Sequence, residues 1–210
     1  MSDPSTPVFR PAQPTPQDAA AFFALAETAG EGIWTLLFGA RAAHIVQSLF
    51  LLADNEISHA RTLFAEVDGQ VAGMLHRFPG DYVAAHHART NQLYRQHIGP
   101  LHMLPFLLRV RRYNPLLGFI AQIPTDAYFI EMLALHPQFR GRGLGKALLD
   151  RAEAEARAAS CARLELDVRE GNDTARRLYE KFGFGLVRSS PTVMAGGQNR
   201  QLHRMAKPLA

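Results

Sequence analysis

Residues 138–146 read Gln138-Phe139-Arg140-Gly141-Arg142-Gly143-Leu144-Gly145-Lys146, between an apolar run and an alanine-rich helical pattern. Glycines at 141, 143 and 145 let the backbone turn sharply and leave its N–H groups uncovered by side chains. A helix starts at Leu144, so those N–H groups converge at the positive end of a helix dipole. That is an anion site suited to a phosphate or pyrophosphate. Arg140, Arg142 and Lys146 add formal charge. A Walker loop requires Gly at 140 and Ser or Thr at 147, where the chain has Arg140 and Ala147. A Rossmann fingerprint requires a third glycine, or an alanine, at 146, where Lys146 stands. What remains is Arg-x-x-Gly-x-Gly, Arg140 to Gly145, between a strand and a helix.

Outward from this loop, Tyr128 to Leu135 is apolar on both faces apart from Glu131, as a central strand is. After it, Leu144 to Ser160 reads as a helix with Leu144, Ala147, Leu148 and Ala152 on one face, and Glu153 and Arg157 paired on the other. Leu164, Leu166 and Val168 alternate with Glu165, Asp167 and Arg169, a strand with one buried face. Strand, loop, helix and parallel strand form one right-handed crossover. A short helix follows from about Asp173 to Lys181 and ends at Gly183. Phe184 to Arg188 and Gln201 to Ala206 read as closing strands, with Gly196-Gly197 in the loop between them.

At this point the sequence resembles the GNAT superfamily of acetyl-CoA-dependent N-acetyltransferases. The loop is preceded by Leu133-Ala134-Leu135-His136-Pro137. It is followed by Asn172-Asp173-Thr174-Ala175-Arg176-Arg177-Leu178-Tyr179-Glu180-Lys181-Phe182-Gly183-Phe184, similar to the family's Asn-x-x-Ala-x-x-x-Tyr-x-x-x-Gly-Phe segment. The resemblance is close over roughly residues 127–187, looser over 8–78 and absent over about 80–125. It implies an α/β (α+β) domain spanning residues 1–210. Its mixed, mainly antiparallel central sheet is flanked by helices, with a helical insertion before the central strand. The donor it implies is acetyl-CoA, the acceptor a small-molecule or peptide amine, and a homodimer is compatible with it.

The upstream part fits that outline. Val8-Phe9-Arg10 reads as a strand stopped by Pro11, Pro14 and Pro16. Thr15 can cap a helix with Pro16 at its first position and Asp18 in the first turn, its inner face carrying Ala19, Phe22, Phe23 and Ala26. A second helical region runs from Ile33 to Leu52 with a break at Gly39; Trp34 and Phe38, one turn apart, either pack in the core or line an acceptor pocket. Asp68-Gly69 between Thr62–Val67 and Val71–His76 is a hairpin signal.

Acetyl transfer from a thioester to an amine requires a held donor, a neutral amine, a stabilised oxyanion and a proton for the leaving thiolate. The resemblance assigns Arg140, Gly141, Arg142, Gly143, Leu144, Gly145 and Lys146 to the pyrophosphate. It assigns Leu133, Ala134 and Leu135 to pantetheine, if that strand parts from its neighbour and leaves backbone groups free. Asn172 is either a contact to the donor or a helix cap. Tyr179 is the expected acid, since a phenol and a thiolate have comparable basicity; packing among Ala175, Leu178 and Phe182 is its plainer reading. For the base, Glu131 in its apolar strand is the first candidate, Asp167 the second, and a water chain the third.

Composition sets outer bounds. The 210 residues carry a net charge of +4, which suits a polyanionic donor but gives no basic stripe of the kind nucleic acid demands. No signal-peptide pattern opens the chain, and no apolar run was expected to reach the ~18 residues of a membrane span. One cysteine, Cys161, fits a reducing cytoplasm and a packing role. In the insertion, Asp81 to His97 and Leu101 to Arg112 are helix candidates, with Pro105 arguing for a break. Four histidines, His86, His87, His97 and His102, match no standard metal spacing, so no metal is expected. The insertion's arginines, Arg89, Arg95, Arg109, Arg111 and Arg112, either face solvent or wall the acceptor side. A wall of that charge would favour an acceptor bearing a carboxylate or phosphate. The other readings of the whole chain are a non-catalytic acyl-CoA-binding or sensor domain and, less consistent with the loop, a dinucleotide-binding oxidoreductase.

Overall fold

The computed structural model describes residues 6–209. Strand β1 (Val8–Pro11) leads into helix α1 (Pro16–Ala29). The Thr15 hydroxyl accepts the Asp18 N–H at 3.2 Å, as its capping position predicts. Asp18 in turn takes two hydrogen bonds from Arg10, at 2.7 and 2.8 Å, so the cap also fastens α1 to β1. Those bonds hold the Asp18 carboxyl below the ordinary carboxylate range. Residues 33–50 are apolar enough to pass for a membrane span by length and composition. They fold instead as α2 (Ile33–Phe38) and α3 (Ala42–Phe50), joined by a 3₁₀ turn at Gly39–Arg41, and pack into the core.

The hairpin forms as β2 (Thr62–Val67) and β3 (Gln70–Pro79), with Asp68 at φ 52° and Gly69 at φ 72°, the left-handed pair such a turn demands. The insertion is two helices, α4 (Gly80–Ile98) and α5 (Pro100–Ile120). Pro105 does not break α5, contrary to the sequence expectation, and neither does Pro115. Both prolines lie on the exposed side, as do Leu101 and Arg111 four residues before them, so the carbonyls deprived of a partner can turn to water.

Then come β4 (Ala127–Leu135), α6 (Leu144–Ala158), β5 (Arg163–Arg169), α7 (Asp173–Phe182) and β6 (Gly185–Ser189). The expected loop around Gly196-Gly197 is a small hairpin, β7 (Val193–Ala195) with β8 (Gln198–Arg200), before the last strand β9 (Leu202–Pro208).

The main sheet has seven strands in the order β1-β2-β3-β4-β5-β9-β6, antiparallel except for β4 with β5. Alternation along the strands sends apolar side chains to both faces. Phe64, Met74, Met132 and Ala134 meet α1–α5, whereas Leu63, Ala65, Leu75, Tyr128 and Ile130 meet α6 and α7. Each fully buried large apolar side chain, such as Phe22 or Leu148, contributes about 1.5–3 kcal/mol. Polar contacts fix α6 on its face: Glu155 accepts from Arg77 at 2.9 and 2.6 Å and from the Tyr128 hydroxyl at 2.6 Å.

Candidate active site

The centre of the sheet departs from regular pairing at one residue. In the β3–β4 ladder His76 faces Met132 and Arg77 faces Ile130, leaving Glu131 as the extra residue of a bulge. Met132 therefore turns to the same face as Glu131, and both line one cavity. On the other edge, β4–β5 pairing runs from Ala127 with Arg163 to Ile130 with Leu166 and stops. Both strands continue, β4 to Leu135 and β5 to Arg169. The strands thus part at the bulge, and Leu133, Ala134 and Leu135 pair with β3 alone among the described residues. The parting expected of this strand is present.

At the bulge, His76 is fully buried. Its Nδ1 lies 2.8 Å from the Thr62 hydroxyl and its Nε2 lies 2.8 Å from the Glu56 carbonyl, which can only accept. Nε2 is also 3.2 Å from Glu131 Oε2. Because the ring proton points to the carbonyl, Oε2 remains buried without a hydrogen bond. Nearby, the Glu56 carboxyl is pushed up by burial and by the charge of Glu131, against the pull of His87. His87 Nδ1 stands 3.1 Å from Glu56 Oε1 and is itself exposed. His76, Thr62 and Glu56 were missed from sequence; a histidine on the buried face of an apolar strand was the only local signal.

Asp167, the second candidate base, is differently placed. Arg204 donates to both its oxygens at 2.7 Å. Burial raises the Asp167 carboxyl despite that partner. The same guanidinium, 1 % exposed, also donates to the Gln122 carbonyl and lies against the Phe119 and Phe129 rings. Both Asp167 oxygens are thereby engaged in tying the end of α5 to β5 and β9.

The glycine loop has open space above it. Gly141 and Gly143 have φ of 76° and 80°, and a Cβ built at either would meet nothing within 4 Å. Gly143 is the N-cap of α6 and supplies no side-chain bond to the first-turn N–H groups. Gly145 is different: a Cβ there would press on Leu178 at 3.0 Å, so this glycine serves the packing of α6 on α7. Arg140 donates to the Leu135 carbonyl at 3.3 Å, Arg142 lies over Phe139, and Lys146 pairs with Asp150 at 2.9 Å. An exposed pair of this kind contributes only about 0.3–0.5 kcal/mol, so Lys146 is easily released to an anion.

Asn172 is the N-cap of α7, its Oδ1 accepting the Ala175 N–H at 3.2 Å. Tyr179 is buried against Phe184 in the core beneath α6 and α7, and burial pushes its phenol up to about 12. It does not line the cavity that holds Glu131.

That cavity encloses about 690 Å³. Its floor is Glu131, Met132 and Phe129; α1 and α2 give one side, α4 and α5 another, and Arg200 of the small hairpin closes it. The insertion is therefore a pocket wall, though not one built of its arginines. Of its arginines only Arg95 reaches the cavity. Arg109 donates to the Leu37 carbonyl, Arg89 to Gln92, and Arg112 lies over Tyr113.

A central strand parting from its parallel neighbour over an acid, beside an open glycine loop at a helix N-terminus, is an arrangement suited to acyl transfer. Residues 31–184 match the acetyltransferase (GNAT) family. The chain belongs to that family and is an acyltransferase. Solved structures share the fold at low identity. An N-acetyltransferase from Staphylococcus aureus Mu50 superposes with a TM-score of 0.66 at 17% identity, covering 95% of this chain and 99% of that one. The ribosomal-protein-S18-alanine N-acetyltransferase from Escherichia coli gives 0.58 at 17%, covering 98% and 95%. Ard1 from Thermoplasma volcanium gives 0.58 at 18%, covering 97% and 98%.

Proposed function

We propose that the protein moves an acetyl group from acetyl-CoA to a primary amine by direct attack. The observation that carries this reading is the Glu131 carboxylate, with one oxygen buried and unbonded at the point where β4 leaves β5. A buried acceptor without a partner costs roughly 1–3 kcal/mol, and an ammonium proton supplies the missing bond. Glu131 then takes that proton, and the freed amine attacks the thioester carbonyl. Backbone groups of residues 131–135 facing the gap are available to the developing oxyanion; such a donor is worth about 3–4 kcal/mol. As the C–S bond breaks, Tyr179 gives its proton to the thiolate; the extra proton on the attacking nitrogen passes through solvent to the phenolate, leaving the amide, CoA and a restored Tyr179. The loop Arg140–Lys146 holds the pyrophosphate. The fit rests on the empty space over Gly141 and Gly143 and on the uncapped start of α6. The test is thiol release from acetyl-CoA with a panel of primary amines, alongside Glu131→Gln. Amine-dependent release that the substitution abolishes is expected; no release with any amine would end the proposal.

A further inference from the structure

We infer that the acceptor is a primary amine carried on a bulky apolar body, arylalkyl or long alkyl, rather than a polyamine, an aminoglycoside or a free amino acid. This rests on the acetyl-transfer reading above and names the substrate class of the same site.

The cavity offers one unbonded carboxylate oxygen, on Glu131, and a mainly hydrocarbon wall, with Asn91, Arg95 and Asn114 among its polar places. Trp34, Phe38 and Phe106 form a stacked series, with centroids 6.1 and 5.4 Å apart and ring planes within 5° and 8°. Tyr94 leans on Phe38 at 5.2 Å. Leu37, Met103, Val110 and Leu117 continue the wall. Burying such surface against an apolar ligand yields about 25 cal/mol per Å².

The charged groups at the edge are mostly already engaged. Asp167 is held by Arg204, Arg169 pairs with Glu31 at 2.7 Å, and Arg200 donates to the Gly30 and Glu31 carbonyls. Glu131 is the carboxylate left with an unbonded oxygen. One such carboxylate matches one ammonium, whereas each further charge on a polyamine or aminoglycoside would lie against hydrocarbon without a partner, a costly burial. A free amino acid is disfavoured for another reason: even with its carboxylate at Arg95, it leaves most of the hydrocarbon wall uncovered and gains little from the cavity. The outer side of the wall is apolar as well. Leu107 lines the cavity yet is 51% exposed, and Leu104 and Leu108 beside it are 67% and 61% exposed. A hydrocarbon tail longer than the cavity has a surface to follow outward.

Trp34 is the one tryptophan of the chain and lines the cavity, so its emission reports binding without chemistry. Full-length protein would be titrated with 4-phenylbutylamine, n-octylamine, spermidine, tobramycin and glycine. Acetylation of the same amines would then be compared as kcat/KM. The two apolar amines are expected to shift the emission saturably and to exceed the others at least tenfold in kcat/KM. Val110→Phe, which fills the cavity from a half-buried position, is expected to reduce both effects at least tenfold with CoA affinity unchanged. Leu107→Ala, on the exposed rim, guards against misfolding of the first variant and is expected to weaken binding of octylamine. Turnover of spermidine, tobramycin or glycine in preference to the apolar amines would overturn the substrate class and leave acetyl transfer standing. Saturable binding of apolar amines with no transfer to any amine would instead overturn the reaction and leave the pocket reading intact. No emission change and no transfer would overturn both.

Discussion

Burial at Tyr179 pushes its phenol up to about 12, so the residue keeps its proton. With that value roughly 1% is ionised at pH 10, so the donor form is present throughout the working range. Activity should therefore rise with pH as the amine deprotonates, with no alkaline loss from Tyr179 below about pH 11. Tyr179→Phe keeps the ring against Phe184; single-turnover rates should fall about 10²-fold while CoA affinity is preserved. Unchanged rates would make Tyr179 a packing residue. Glu131→Gln carries its own signature. At pH 7 the rate should drop about 10²-fold, because the ammonium keeps its proton. Near pH 10 the amine is largely free and the deficit should shrink to a few-fold. A loss independent of pH would remove Glu131 as the base. In the sequence Glu131 stands out as an acid among apolar residues, and Tyr179 through the segment from Asn172 that resembles the family's motif. His76 does not, since its partners Thr62 and Glu56 become neighbours only through strand pairing.

Among elements, the loop and the two helices after it separate local signals from tertiary ones. Helix starts were readable where a side chain does the capping, as at Thr15 and Asn172. The length of α5 was not, because Pro105 reads as a break until its exposed side is known and the helix candidate stopped at Arg112. The β7–β8 hairpin was invisible for another reason: three-residue strands give no periodicity, and only Gly196-Gly197 marked the turn. Gly143→Val tests the loop. At φ 80° a non-glycine residue costs about 1–2 kcal/mol, and the branched side chain would project into the open space above the α6 N-terminus. Calorimetry should show CoA binding abolished in a protein that still folds. Binding at wild-type strength would detach the pyrophosphate from this loop. Asn172→Ala should lower stability by about 1 kcal/mol through loss of the α7 cap. If Asn172 also contacts the donor, CoA affinity will fall with it; a pure cap leaves that affinity unchanged.

At the scale of the molecule, the glycine loop and the cavity meet on one strand. The loop joins β4 to α6, whereas α1, α2, α4, α5 and the small hairpin wall the cavity over a floor from β4 and β5. Arg204 on β9 ties the cavity's wall to its floor by gripping Asp167 of β5 and the carbonyls at the end of α5. Removing one partner of a buried pair usually costs about 3–5 kcal/mol, because the other charge stays behind. Arg204→Met should cost that much, because Asp167 loses both its bonds and buried Glu165, 3.7 Å from the same guanidinium, loses that cation as well. Urea unfolding would measure it, and a loss under 1 kcal/mol would mean the grip is idle. No sequence pattern announced this pairing; it required the β5–β9 register that sets Asp167 opposite Arg204.

The insertion departs and returns at one place. Pro79 and Tyr128 are cross-strand neighbours, and a Cβ at Gly80 would collide with the Pro124 carbonyl. Helices α4 and α5 thus occupy the position of a hairpin loop, and loop length adds to closure entropy only slowly, about 0.6 kcal/mol per doubling. In modular terms the segment is a cassette. Its length can change without disturbing the register of β3 on β4, while the wall it gives the cavity changes with it.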